Sequence, residues 1–265
     1  MIEVKNVSYS IRGKSLLNNV SFNALPGELW AIVGANGAGK STLLKMISAE
    51  LSPASGSVSF HGQELKRYKL RELAKKRAVL AQQNNITLTF TAREIVLMGR
   101  YPFYDSEPTQ KDLLIVDECL RKVGIEHLTS RIYPTLSGGE QQRVQLARAL
   151  AQIWEVKNGL LLLDEPTTGM DLLHQYETFQ LAKEMVGRGF GVIAVVHDLN
   201  QALQYADKVL MLRNGHCHAI GAPAEVLTEQ LIREVFGLSV QLLQHDQTAF
   251  PIIVPHVNTV SAVIP

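Results

Sequence analysis

The stretch from Gly34 to Ser41, Gly-Ala-Asn-Gly-Ala-Gly-Lys-Ser, constrains this chain more than any other. It fits G-x-x-x-x-G-K-[ST], the phosphate-binding P-loop. Leu29, Trp30, Ala31, Ile32 and Val33 precede it and read as a buried strand, while Leu43, Leu44, Met46 and Ile47 follow at the spacing of one helix face. The loop therefore sits at a strand-to-helix turn. Gly34, Gly37 and Gly39, with Ala35, Asn36 and Ala38 between them, let successive N–H groups turn inward on a phosphate. The helix N-terminus adds partial positive charge at the same point. Lys40 is placed to reach the outer phosphates, and the Ser41 hydroxyl to hold Mg²⁺.

Composition narrows the class. With 265 residues and 46% hydrophobic content the chain can bury a sizeable core, and its net charge of +1 offers no electrostatic argument for nucleic acid. Cys119 and Cys217 lie far apart and form no metal or redox spacing, which suits structural roles in a reduced compartment. The N-terminus shows no signal-peptide pattern. Apolar runs such as 160–163 and 192–196 are strand-sized, well short of the ~20 residues of a membrane span. The reading is a soluble protein that would work at a membrane only through a partner.

Taken in order, the first sixty residues apart from the P-loop read as short strands. Their members are Ile2, Val4 and Val7, then residues 16–22, then Val58 and Phe60, punctuated by Gly13 and Gly56. Tyr9 and Ile11 are placed in the loop after the first strand, Tyr9 being a candidate to stack on a nucleotide base. Residues 64–77 are basic and read as a solvated helix. Ala78 to Gln82 is a strand ending in the polar Gln82, at the level where an α/β sheet places its chemistry. Thr91 and Glu94 form a capping box for a helix through Gly99; an aromatic loop, residues 101–104, follows. Thr109 and Asp112 open another helix with Leu113, Val116, Leu120 and Val123 on one face. Residues 84–155 thus read as helical and inserted between strands, a subdomain of their own.

Three further stretches carry chemistry. Ser137 and Glu140, in Leu-Ser-Gly-Gly-Glu-Gln-Gln-Arg (136–143), form a capping box whose glycines leave a bare helix N-terminus, an anion site. Residues 160–163 are four leucines, a buried strand ending in Asp164 and Glu165. Asp164 suits Mg²⁺, and Glu165 can orient or deprotonate a water. Residues 192–196 are a second buried strand, and His197 at its end is placed to contact the terminal phosphate. Asn214-Gly215 marks a hairpin between 209–212 and 217–220; Thr228 caps a short helix to Phe236; the last thirty residues read as late strands covering the core, without metal-ligand spacing at His245 or His256.

The P-loop, Gln82, LSGGEQQRV at 136–144, LLLLDEP at 160–166 and His197 stand in the order of an ATP-binding cassette (ABC) ATPase, which the chain resembles over nearly its whole length. In finer grain it resembles the ATPases of importers for haem, iron-siderophores and cobalamin, the haem type above all. That rests on residues 96–102, 171–175 and 221–228, and on a small extension at 152–159. The resemblance implies a fold and a set of roles. The fold is α/β, a P-loop NTPase core of the ABC type with an antiparallel β subdomain and an inserted α-helical subdomain. It forms one ABC ATPase domain, with 1–83 and 156–265 as nucleotide-binding core and β subdomain and 84–155 helical. Gly34 to Ser41 become Walker A, and Thr42 adds an α-phosphate contact. Gln82 is a catalytic residue near Mg²⁺ and the attacking water, and Mg²⁺ is held by Ser41, Gln82 and Asp164. Glu165 is the catalytic carboxylate and His197 the switch histidine. Ser137 and Gly139 serve the γ-phosphate of the opposite subunit. Asp171 belongs to a D-loop reading Thr-Gly-Met-Asp where the family usually has Ser-Ala-Leu-Asp. The base-stacking position aligns nearer Ile11 than Tyr9.

By the same resemblance the chain is an ATP-hydrolysing homodimer on the cytoplasmic face of the inner membrane. It drives a permease dimer that is fed by a periplasmic or extracellular solute-binding protein. Import of haem is the leading reading; a ferric-siderophore or cobalamin importer, or an exporter, is the alternative, because the partners choose the solute. A soluble ABC ATPase of DNA repair or translation would carry heptads, CxxC or a second P-loop, and none is present. A nucleotide switch or small-molecule kinase has no need of residues 136–143.

Overall fold

The computed structural model describes residues 1–82, 89–246 and 248–256. In chain order the strands are β1 (Ile2–Ile11), β2 (Lys14–Ala24), β3 (Leu29–Gly34), β4 (Ser55–Phe60), β5 (Gln63–Glu64), β6 (Arg77–Leu80), β7 (Leu160–Asp164), β8 (Gly191–Val195), β9 (Lys208–Arg213), β10 (His216–Gly221), β11 (Val240–Leu243) and β12 (Ile252–Pro255). The helices are α1 (Lys40–Ile47), α2 (Leu70–Ala74), α3 (Ala92–Leu97), α4 (Gln110–Lys122), α5 (Gly138–Ile153), α6 (Leu172–Gly187), α7 (Leu199–Tyr205), α8 (Pro223–Val226) and α9 (Glu229–Phe236).

A six-stranded sheet in the order β10-β9-β3-β8-β7-β6 forms the centre. All its pairings are parallel except β10 on β9, the hairpin turned at Asn214-Gly215. Its strands are apolar throughout because both faces are covered. Alternate residues go to opposite sides. Ile32, Leu162, Ile193 and Leu210 join a core with α1 and the antiparallel sheet β2-β1-β4-β5, while Ala31, Leu161, Ala194 and Val209 join the core built by α3 to α7. The period of two thus assigns each side chain to a layer.

The register sets up the chemistry. Ile32 pairs with Val195, Val195 with Asp164, and Leu163 with Leu80. The C-terminal ends of β3, β8, β7 and β6 therefore stand side by side at one level, and each opens directly into a polar segment.

Several local expectations shift. Tyr9 and Ile11 are in β1, not in a loop: Arg12 and Gly13, with φ of 50° and 77°, make a two-residue turn that carries pairing out to Ile11 opposite Lys14. Residues 64–77 are not one helix; a 3₁₀ turn (Leu65–Arg67) and α2 are separated by extended Tyr68, whose hydroxyl donates to the Phe60 carbonyl at 2.9 Å. The aromatic stretch 101–104 lies largely in a 3₁₀ helix, Met98–Phe103. The buried face of α4 is Ile115, Val116, Cys119 and Leu120, with Leu113 half-buried. The capping boxes at Thr91 and Ser137 form, and Thr109 with Asp112 makes a further one where a helix start is expected. The C-terminal strands pair with each other as a hairpin. Residues 84–88 of the helical stretch and 257–265 of the tail lie outside the described residues.

Candidate functional site

The phosphate-binding turn is shaped by close packing. Gly39, the residue before α1, has φ of 103°, and a Cβ there would sit 2.6 Å from the Leu16 carbonyl oxygen and 2.8 Å from Leu17 Cδ2. Only glycine allows β2 to approach the loop this closely. Its side chain buried, Lys40 donates from Nζ to the carbonyls of Gly34 at 2.7 Å and Ala35 at 3.1 Å. Burial lowers the Lys40 pKa, against the opposing pull of the nearby Glu165 and Asp164 charges.

Asp164, the last residue of β7, is buried, and the Ser41 hydroxyl donates to its Oδ1 at 3.3 Å. Burial first, and the Glu165 charge second, raise the Asp164 pKa; Ser41 and the lysines at 45 and 40 work the other way. A buried carboxylate beside a hydroxyl, with a second carboxylate adjacent, is a set of hard oxygen donors. That chemistry suits Mg²⁺.

Glu165 turns the chain out of the sheet. Its φ is 51°, a left-handed conformation that costs a side-chain-bearing residue strain, and its N–H donates to the Val195 carbonyl at 3.2 Å. The turn directs the carboxylate across the strand ends. Gln82, just past β6, donates from Nε2 to Glu165 Oε2 at 2.6 Å, and Nε2 of His197, just past β8, lies 2.5 Å from Oε1. Gln82, Glu165 and His197 line one cleft of about 530 Å³ with Leu16 and the residues from Asn36 to Thr42. The structure thus brings together Asn36, Gly37, Ala38, Gly39, Lys40, Ser41, Thr42, Gln82, Glu165 and His197, with Gly34 and Ala35 beneath the lysine and Asp164 behind Ser41.

Three expected residues stand apart from this cleft. Tyr9 is not in its lining; its ring packs on the core beneath the antiparallel sheet. Ser137 and Gly139 begin α5, where Glu140 accepts from the Ser137 N–H at 2.7 Å and its hydroxyl at 2.8 Å. Their neighbour is the D-loop instead: a Cβ on Gly139 would lie 3.1 Å from the Gly169 carbonyl oxygen. Asp171 caps α6 by accepting from the His174 N–H at 3.0 Å. The sequence reading missed Leu16, which forms a wall of the cleft. An aliphatic residue in a strand carries no signal of such a role.

A family model described as ABC transporter matches residues 17–168. The chain belongs to that family, as an ATP-binding subunit, and it is an ATPase. Curated relatives named hemin import ATP-binding protein HmuV match it nearly end to end. The one from Gloeobacter violaceus is 45% identical, over 96% of this chain and 94% of its own. Those from Deinococcus radiodurans and Pseudomonas aeruginosa are 46% and 42% identical over 96% of this chain, covering 96% and 99% of theirs. Among solved structures, a chain from the inward-facing conformation of a transporter described as metal-chelate type superposes with a TM-score of 0.82 at 27% identity, over 97% of this chain and 98% of the other. A dimeric post-hydrolysis ATP-binding cassette bound to ADP and Pi gives 0.74 at 29% identity, over 84% and 99%. Among the described residues no helix is long and apolar enough to cross a membrane.

Proposed function

We propose that this chain is the ATP-hydrolysing subunit of a haem (haemin) importer, with the strand-end cleft as its catalytic site. The observation that carries the catalytic reading is the carboxylate of Glu165, held by Gln82 and faced by His197 across from Lys40 and Ser41. Lys40 and the N–H groups from Gly34 to Thr42 bind the phosphates. Ser41 and Asp164 are the oxygens that would hold Mg²⁺, with Gln82 nearby, and the ion when bound would offset phosphate charge. Glu165 orients a water and takes its proton as the oxygen attacks the terminal phosphorus, and ADP departs. His197 contacts that phosphoryl group as charge develops.

Ser137 and Gly139 lie outside their own chain's cleft. In this reading their bare helix start faces the γ-phosphate held by a second copy, so two ATP molecules join a homodimer. Charge on the phosphate closes the dimer, hydrolysis releases it, and the motion drives a permease dimer from the cytoplasmic face of the membrane. A solute-binding protein on the outer side would deliver the cargo. Tyr9, packed on the core of the antiparallel sheet, is outside the cleft, whose wall on that side is Leu16.

Haem as cargo rests on the relatives' names and their identities of 42 to 46%. The deciding experiment co-purifies the chain with its permease and reconstitutes both in vesicles. ATP-driven uptake of haemin is expected. Uptake of a ferric siderophore or cobalamin in its place would overturn the cargo and leave the ATPase standing.

A further inference from the structure

We propose that Gln175 and Gln201 are positioning residues for hydrolysis, a side-chain amide relay that fixes the loop after Glu165 against the helix after His197. This rests on reading Glu165 and His197 as the hydrolytic pair.

Behind that pair lies a second cavity of about 260 Å³, lined by residues from both strand ends together with Gln175 and Gln201. Across it, Gln201 Nε2 donates to Gln175 Oε1 at 2.8 Å, and Gln175 Nε2 donates onward to the Met170 carbonyl at 2.9 Å. Each end of this relay leads straight to one partner of the pair. On one side His197 is followed by Asp198, which accepts from the Asn200 N–H at 2.8 Å and starts α7, so Gln201 sits in that helix's first turn. On the other, the loop from Glu165 is folded by its own bonds, Thr168 N–H to the Glu165 carbonyl at 3.3 Å and Met170 N–H to that of Thr167 at 3.2 Å. Met170 itself is buried, and the Thr178 hydroxyl lies 3.5 Å from its sulfur. Phe179, midway along α6 and also lining the cavity, stacks on Tyr205 at the end of α7, with centroids 4.9 Å apart and planes 9° from parallel. The aromatic stack fixes the helices; the amides fix the loop to them.

The chemistry of the relay specifies its middle member. Residue 175 must accept from Gln201 and donate to a carbonyl, and only an amide does both at this length. Glutamate there would still accept but would set a carboxylate against the Met170 carbonyl. The relay also reaches α5, because Gly169 in the same loop abuts Gly139. It touches no residue of the phosphate cradle, so its loss shifts the Glu165–His197 geometry and leaves nucleotide capture intact.

The test measures kcat and KM for ATP, fluorescent-nucleotide affinity and Tm for Gln201→Ala, Gln175→Ala, the double variant and Gln175→Glu, beside Glu165→Gln. Each single variant is expected to lower kcat roughly 2–10-fold, the span of one net hydrogen bond, with KM and nucleotide affinity held. The double variant should lose no more than the worse single, since one relay is broken once. Gln175→Glu should be as slow as Gln175→Ala. Unchanged kcat in Gln201→Ala, additive losses, a Gln175→Glu of normal rate, or KM and Tm falling together with kcat would overturn the relay. If Glu165→Gln turns over normally, the reading of the site has failed; if it is inactive while the glutamine variants are normal, only the relay falls.

Discussion

Nε2 of His197 lies 2.5 Å from Oε1 of Glu165, while Gln82 holds Oε2 of the same carboxylate at 2.6 Å. Three separate strand ends therefore converge on one side chain. They can do so because β6, β7 and β8 are parallel and in register to their last residues. The left-handed backbone at Glu165 completes the convergence by turning its carboxylate across the sheet.

Glu165→Gln keeps the shape and the contact to Gln82 but removes the base. Turnover is expected to fall by ~10²–10⁴, the usual contribution of a general base, with ATP binding retained. The variant should collect as an ATP-bound dimer in size-exclusion chromatography with ATP and Mg²⁺. A monomer hydrolysing at near wild-type rate would sink the assignment.

Asp164→Asn should separate stability from function. Because burial raises the Asp164 pKa, the folded protein binds this proton more tightly than the unfolded chain. The charged form therefore destabilises the fold above the folded pKa, and the penalty vanishes below the unfolded value. Without nucleotide, the asparagine variant is expected to melt higher at neutral pH, by about 2–4 °C for each kcal/mol relieved, with the gap closing as pH falls through the carboxylate range. Mg²⁺-dependent stabilisation by ATP should be lost. Thermal melts across pH, with and without MgATP, check both; a lower Tm at neutral pH would contradict the sign.

Lys40→Ala removes the mobile cation of the cradle, held between the Gly34 and Ala35 carbonyls. Hydrogen bonds to a charged group are worth roughly 1.5–3 kcal/mol each, so nucleotide affinity should fall about tenfold or more. Fluorescent-nucleotide titration decides it. Unchanged affinity would mean the lysine does not reach the phosphates.

The elements that the sequence revealed were those where chemistry and local structure coincide. The P-loop glycines, the capping boxes at Thr91 and Ser137, the helix start at Thr109, the Asn214-Gly215 turn and the leucine strand ending in Asp164 each carry a local physical cause. What was hidden depends on distant pairing. Nothing near Tyr9 announces that β1 continues to Ile11; the cause is its partner β2. Nothing near Leu16 says that it walls the cleft, since that follows from how closely Gly39 lets β2 approach. Gln82, Glu165 and His197 read in the sequence as three separate strand-end residues; that two of them share the third's carboxylate depends on strand order.

Ser137→Arg places a long cation at the start of α5, outside the cleft of its own chain. Nucleotide affinity of the monomer should be unchanged, while ATP-dependent dimerisation and turnover are lost. Size-exclusion and ATPase assays check the pair of outcomes. Normal hydrolysis would show that the site does not need a second copy's helix.

The final prediction concerns the permease. Residues 98–103 follow the segment after Gln82, and the resemblance to ABC importer ATPases makes Met98, Arg100, Tyr101 and Phe103 candidates to line or border its docking groove. The structure divides them. Arg100 is 1% exposed and internal to the helical layer: Nε bonds Asp112 at 2.9 Å, and its other nitrogens bond the Ala151 carbonyl at 2.8 Å and Glu155 at 2.6 Å. Phe103 lies beneath that guanidinium, 3.9 Å from its ring centroid. Burial alone would raise the Asp112 pKa, but the Thr109 and Arg100 bonds outweigh it and hold it low. Their stabilisation is thus present above the ordinary aspartate pKa and lost as pH falls from there through the lowered folded value. Tyr101, by contrast, is 56% exposed and supported edge-on by Tyr104 at 5.8 Å, a rigid aromatic available to a partner. Tyr101→Ser is therefore expected to weaken pull-down with the permease while Tm and nucleotide binding stay unchanged. Arg100→Ala should instead cost about 3–5 kcal/mol, since it strands buried Asp112 without its partner. If Tyr101→Ser assembles normally, the groove does not use this face; if Arg100→Ala keeps a wild-type Tm, the buried network is not what holds the helical layer together.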